Sequence, residues 1–327
     1  MSKTIVVGVN GLGPSNAALK WATARASLGE CDLLVVHVVD DAAGAMSASD
    51  LNDESGQAQQ MLDECAIRAR EQRPDVRVRS RLLTGDVVVE LAAVSERGTM
   101  LVIGTNKTGF INGTVFGGRS LQVAAAATAP VVIIPEVPRQ IRKGILVGVD
   151  DSPVGRAAIK FGAQEAELRG QPLTLLHGAE RVERLSAERH SGERRDPWSE
   201  WISDASSERT RLQLDILARS LVLARRHTTG EIRTRRLSRP AAEALLDASS
   251  SAEAVVVGCS RRTGQDRNIL GSVSHDLIIN CRCPTIVIHE SGRSATSAAP
   301  ARLRLVGASD GEGYRPAGRR ESGSPSS

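Results

Sequence analysis

The sequence predicts an α/β protein made of two tandem Rossmann-like domains. Each is a five-stranded parallel sheet with helices on both faces. Three observations predict it. Short apolar runs bounded by glycine or proline alternate with helical patterns, the signature of βαβ units around a parallel sheet. The stretch Leu101–Pro135 reads as strand, glycine-rich loop, helix and strand, and Ala254–Glu290 repeats that plan. Gly104, Gly117 and Pro130 return as Gly258, Gly271 and Pro284, each 154 positions later, so the chain carries an internal duplication. A length of 327 residues also fits two domains, each long enough to bury its own core.

In the first half, Thr4–Val9 is an apolar strand and Asn10–Pro14 a turn. Ser15 is the expected N-cap of a helix through Ala17, Leu19, Trp21 and Ala22 that ends near Gly29. Asp32–Val39 is continuously apolar, as a strand covered on both faces requires. Residues Ala42–Gly56 are small and polar and read as a mobile loop, followed by a helix over Gln57–Arg70. Val76–Leu83 alternates apolar and basic residues and predicts a half-exposed strand. Gly85-Asp86 opens a helix through Val94. Leu101–Ile103 is the fourth strand, Arg119–Thr128 the fourth helix, and Val131–Ile134 the fifth strand.

Pro135–Lys143 is a short, proline-limited linker. The order then restarts: VVGVN at 6–10 becomes LVGVD at 146–150, an offset of 140. Ser152-Pro153 starts a helix, Pro taking a first-turn position. Leu173–His177 is a strand, Thr210–Arg226 a helix, Ile232–Leu237 a strand and Ala241–Ala248 a helix. The offset grows from 140 to 154, so the second half holds 14 extra residues. They are assigned to the Arg-, Glu- and Ser-rich insert at about 180–208, which contains Trp198 and Trp201. The predicted domains are 1–137 and 138–290, with 291–327 a disordered tail rich in Ser, Gly, Ala, Pro and Arg.

Composition excludes several classes. Aromatic residues make up 2% of the chain, so the cores are aliphatic. A net charge of +4 is too small for a nucleic-acid-binding surface. Five cysteines, Cys31, Cys65, Cys259, Cys281 and Cys283, fit neither a disulfide framework nor a zinc site. Cys281 and Cys283 are separated by one residue, a spacing at which a bridge would be strained, and read as structural thiols. No signal peptide or membrane span is evident, and a reducing cytoplasm is the expected compartment. His37 and His177 close equivalent strands and read as satisfied core-edge residues. No nucleophile–base pair or metal cluster stands out.

The glycine loops carry the candidate chemistry. A glycine-rich loop between a strand's carboxyl end and a helix start lets backbone approach an anion, and the helix start offers free N–H groups. Neither loop is a P-loop, since Gly-x4-Gly-Lys-Ser/Thr is absent. The pattern Gly-x2-Gly-x9-Gly-Ser/Thr before an apolar strand, with Val-Asp-x-Ser closing the first strand, resembles the universal stress proteins. Two copies resemble the tandem members of that family, over about residues 3–135 and 143–289.

That resemblance implies an adenine-nucleotide-binding-like fold, with ATP as the ligand of some members, Mg accompanying it, and dimers formed through the last strand. The second half keeps more of the pattern. Gly258, Gly271 and Ser272 fit, with Arg261 at the middle glycine position and Asp150 closing the first strand. In the first half Gly104 and Gly117 fit. Lys107 replaces the middle glycine, Gly118 the Ser/Thr, and Asn10 the Asp.

The resemblance implies that Gly258, Gly271 and Ser272 border the phosphates and that Asp150 accepts from the ribose. Val149 and Gly178 then flank the nucleoside, with Val257 and Val273 beside them. Lys107 and Arg261 either contact phosphate or fill its space. The expected function is a non-enzymatic, ATP-binding or nucleotide-responsive stress regulator. It would act on an unknown protein partner as a homodimer or an intramolecular pseudo-dimer. The alternative is a nucleotide-free interaction scaffold. Slow ATP hydrolysis is disfavoured by the lack of a base.

Overall fold

The computed structural model describes residues 3–41, 44, 46–96, 100–105, 118–136, 142–178, 197–259, 270–280 and 282–289, with side chains omitted over 197–207. Lys107, Gly117, Arg261, Cys281, the tail and the insert up to residue 196 lie outside the described residues. In the first half the order is β1 (Thr4–Gly8), α1 (Gly13–Leu28), β2 (Asp32–Asp40), α2 (Ala48–Gln72), β3 (Val78–Gly85), α3 (Val87–Ser95), β4 (Met100–Thr105), α4 (Gly118–Ala126) and β5 (Val131–Pro135). The second half follows with β6 (Ile145–Gly148), α5 (Pro153–Arg169), β7 (Leu173–Gly178), α6 (Pro197–Arg225), β8 (Ile232–Leu237), α7 (Ala241–Ser249), β9 (Ala254–Cys259), α8 (Ser272–Asn280) and β10 (Thr285–His289).

Each half is a parallel five-stranded sheet, ordered β3-β2-β1-β4-β5 and β8-β7-β6-β9-β10. The two join within one chain, where β5 pairs antiparallel with β10 through Val131–Ile133 and Thr285–Val287. The result is a single ten-stranded sheet.

The aliphatic composition is spent on both faces of that sheet. One buried layer gathers Ile5, Val7, Leu33 and Val35 with Ala18 and Ala22 of α1 and Leu62 and Ala66 of α2. It runs on through Val132 and Ile286 to the same layer of the second half. The opposite layer holds Val6, Val36, Leu101, Leu91, Val123, Leu245 and Leu277. Successive strand residues therefore feed different layers, as the period-2 pleat requires.

Three expectations need correction. Ser15 is not the N-cap of α1. The helix begins at Gly13 after Leu12, which provides no side-chain cap. The Ser15 hydroxyl instead donates to Leu12 O at 2.9 Å and accepts from Asn10 N–H at 3.2 Å, bracing the turn. Much of the supposed loop at 42–56 is helix: α2 starts at Ala48, where the Ser47 hydroxyl accepts from Asp50 N–H at 3.2 Å. A polar composition hid a capped helix start. Likewise α6 starts at Pro197, not Thr210, so part of the 180–208 insert extends a helix.

Candidate functional site

In each half the strand order reverses between the first and fourth strands, and in open parallel sheets a crevice forms at the carboxyl ends of such a switch point. In the second half that crevice lies between β6 and β9 and in the first between β1 and β4. Val149 and Asp150 directly follow β6, and Gly258 is the penultimate residue of β9. Gly271 and Ser272 form the start of α8, which leads away from the same crevice.

Asp150 is exposed. Its Oδ1 accepts from Ser152 N–H at 3.1 Å and from the Ser152 hydroxyl at 2.6 Å. Ser152, rather than Asp150, caps α5, accepting from Gly155 N–H at 2.9 Å. Oδ2 of Asp150 makes no hydrogen bond among the described residues, so the turn orients the carboxylate and leaves one oxygen for a donor in the crevice. Asn10 repeats the turn with an amide: its Oδ1 accepts from Leu12 N–H at 3.2 Å. The two halves thus share geometry and differ by one negative charge.

The glycines divide into two kinds. A Cβ on Gly104 would lie 2.3 Å from Pro14 O, and one on Gly258 would lie 2.9 Å from Val154 C, so close packing of the fourth strand on the first helix demands glycine at both. Gly178 is similar, with a Cβ reaching 2.6 Å from Ala241 Cα. Gly118 and Gly271 are the reverse: among the described residues an added Cβ meets nothing within 4 Å. Open space at the start of α8, with the first-turn N–H groups directed out of the helix, is the shape a phosphate group needs.

Three further features frame the site, of which sequence reasoning held only the histidines, as satisfied core-edge residues. The Ser274 hydroxyl donates to Gly258 O at 3.3 Å, and its counterpart Ser120 donates to Gly104 O at 3.5 Å, tying helix start to strand end. The equal spacing of the two serines from their glycines was the available signal. His37 Nδ1 donates to Val9 O at 2.7 Å and His177 Nδ1 to Val149 O at 2.8 Å. A carbonyl can only accept, so Nδ1 carries the proton. Each histidine pins the backbone beside Asn10 or Asp150. Finally, Arg119, on the first turn of α4, pairs with Asp40 at 2.5 Å. Val273, its counterpart in α8, is half-buried against the core, and Val257 and Val149 are buried.

Among the described residues no group of three His, Cys, Asp or Glu is placed to hold a metal ion. None of their helices is long and apolar enough to cross a membrane.

Comparison with known proteins agrees with this architecture. Universal stress protein Rv1996 of Mycobacterium tuberculosis is 27% identical over 317 residues, covering 86% of this chain and 94% of that protein. Universal stress protein Rv2005c of the same organism is 27% identical over 311 residues, covering 88% and 97%. The crystal structure of a universal stress protein from Archaeoglobus fulgidus superposes with a TM-score of 0.63 at 17% identity, over 88% of this chain and 99% of that one. It shares the fold. The model of the universal stress protein family matches residues 1–135 and again 142–289. The chain belongs to the universal stress protein family, and it carries two copies of that family's domain.

Proposed function

We propose that the chain is a nucleotide-responsive stress regulator of the cytoplasm, with one ATP site in the crevice between β6 and β9 and no dedicated catalytic chemistry. The observation that carries this reading is the convergence of an oriented, half-free carboxylate, Asp150, with an uncluttered helix start at Gly271–Ser272. The residues fit the ligand. Asp150 Oδ2 accepts from ribose hydroxyls, and the first N–H groups of α8 and the Ser272 hydroxyl donate to phosphate oxygens. Mg would enter with the nucleotide, screening phosphate charge. In the first half Asn10 lacks the charge, and Arg119 is held by Asp40; that half is the weaker site.

Calorimetric titration of the full chain with ATP tests this, with Asp150→Ala and Gly271→Val beside wild type. A Cβ at Gly271 meets nothing within 4 Å among the described residues, so valine is expected to spare the fold and obstruct the ligand, and a melting curve of the variant checks this. Binding of about one ATP per chain, lost in both variants, is the expected result. No heat at millimolar ATP with a folded protein refutes it. The nucleotide-free scaffold then stands, favoured already by the fact that Gly104 and Gly258 are explained by strand–helix packing alone.

A further inference from the structure

The junction between the halves contains a pseudo-two-fold axis. Val132 pairs with Ile286, while Val131 and Ile133 pair with Val287 and Thr285. Under the 154-residue offset Val132 and Ile286 are counterparts, so the axis passes between them. Helices α1 and α5 lie over one face of the sheet there, and their alignment is fixed independently. Gly104 abuts Pro14 and Ser15, and Gly258 abuts Val154 and Gly155, an offset of 140. Under that offset the counterpart of Arg25 is Glu165.

These two counterparts meet each other. Arg25 Nε donates to both Glu165 oxygens at 2.9 Å, and Nη2 donates to Oε1 at 2.5 Å. The pair is buried, with side chains 12% and 3% exposed. In an isologous interface a residue on the axis meets its own copy. Two first halves would therefore set guanidinium against guanidinium. The surroundings deepen the difference. Arg169 reaches across the junction, stacking 5.0 Å from the Trp21 ring centre, and also bonds Glu165 at 3.1 Å and Glu253 at 2.8 Å. Its counterpart in the first half is Gly29, with no side chain. On that side, Phe161, the counterpart of Trp21, borders a cavity of about 400 Å³ with Lys3, Met100 and Leu168.

We propose that the contact face of the first half is coded for an acid-bearing second half and rejects a copy of itself. The chain therefore closes on its own second half rather than pairing through equivalent first halves of two chains. Arg25 supplies the charge that forbids self-pairing, Glu165 the charge that answers it, and Arg169 the cation that lets Glu165 be buried. A face built from two second halves is less forbidding, because each carboxylate would keep an Arg169 one turn away.

The test uses the full chain with Glu165→Arg, Arg25→Glu and the exchange R25E/E165R. Glu165→Arg recreates the rejected pairing at the axis, and its melting temperature falls by about 10 °C. Arg25→Glu loses less, since Arg169 stays with both carboxylates. The exchange recovers about half or more of the Glu165→Arg loss. Amide hydrogen exchange supplies the interface-specific readout. In Glu165→Arg, exchange accelerates at Val131–Ile133 and Thr285–Val287 and stays slow in β2 and β7. Arg25→Gln covers the case in which a charge reversal prevents folding, and it is expected to accelerate the same amides to a smaller degree. An exchange variant no more stable than Glu165→Arg, an Arg25→Glu loss as large as that of Glu165→Arg, or unaltered exchange in β5 and β10 would overturn the proposal.

Discussion

Gly104 and Gly258 are equivalent in sequence and unequal in space, and substitution by alanine separates them from each other and from Gly118. At Gly104 a methyl group would sit 2.3 Å from Pro14 O, 2.4 Å from Pro14 C and 2.7 Å from Ser15 N. All three are backbone atoms of the first turn of α1, so no side chain can rotate away. Relief requires a shift of α1 by roughly 1 Å to reach ordinary contact distance. At Gly258 the nearest atoms are Val154 C at 2.9 Å and Gly155 N and Val154 O at 3.0 Å, and a few tenths of an ångström suffice. Overpacking of a rigid site costs typically 1–3 kcal/mol, so Gly104→Ala belongs at about 3 kcal/mol and Gly258→Ala at about 1 kcal/mol. For a folded unit of this size, each kcal/mol moves the melting temperature by about 2–4 °C, giving losses of roughly 6–12 °C and 2–4 °C. Gly118→Ala, on the first turn of α4 in open space, is expected to be neutral or to stabilise by about 0.5 kcal/mol through lost chain entropy. Calorimetric melting of the three variants is the assay. Equal losses at Gly104 and Gly258, or a loss at Gly118 comparable to either, would refute the assignment of these glycines to packing.

Ser47→Ala removes the cap of α2 and is expected to cost about 1 kcal/mol in urea unfolding, with faster exchange confined to the start of that helix. Leu277→Ala, fully buried on α8, is expected to lose about 2–5 kcal/mol, read in the same unfolding experiment. Glu167 accepts from the Thr228 hydroxyl at 2.6 Å and from Thr229 N–H at 2.8 Å, which hold its carboxyl below the usual range. A carboxyl depressed in the folded state stabilises above its unfolded value and loses that contribution as pH falls below about 4. Thermal melting across that range should show a flatter acid limb in Glu167→Gln than in wild type; parallel curves would show that the contact has no linkage to folding.

The inner strands were legible because they are uninterrupted aliphatic runs in a chain with few aromatics, and the edge strands β3 and β8 because apolar and basic residues mix along them. The parallel order was legible because such runs alternate with helices. Ile232–Leu237 was found to the residue even though its burial is slight, since β-branched and basic residues alternate there. The start of α2 was not legible from hydrophobic period, because Ser, Asp, Asn and Gly fill its first turns; only the Ser47-x-x-Asp50 spacing signalled it. The duplication marked Gly258 and Gly271 as candidates, and Asp150 was singled out by the family resemblance. What could not be read was which glycine serves packing and which leaves space, because that depends on a helix eighty or more positions away in sequence. Nor could the Arg25–Glu165 pair be seen, since neither residue stands out until an axis sets counterparts face to face.

The antiparallel seam between β5 and β10 sets the two crevices apart. Parallel strands on either side of such a seam run in opposite directions, so the two crevices open on opposite rims of one plate. They are separated by at least the length of a strand, about 17 Å for five residues. Groups placed in the two crevices would be too far apart to touch. Any communication between the halves has to be mechanical, carried through the seam and the charged contacts of α1 and α5. The sheet is in that sense two-sided, with one crevice on each rim and a single joint between them.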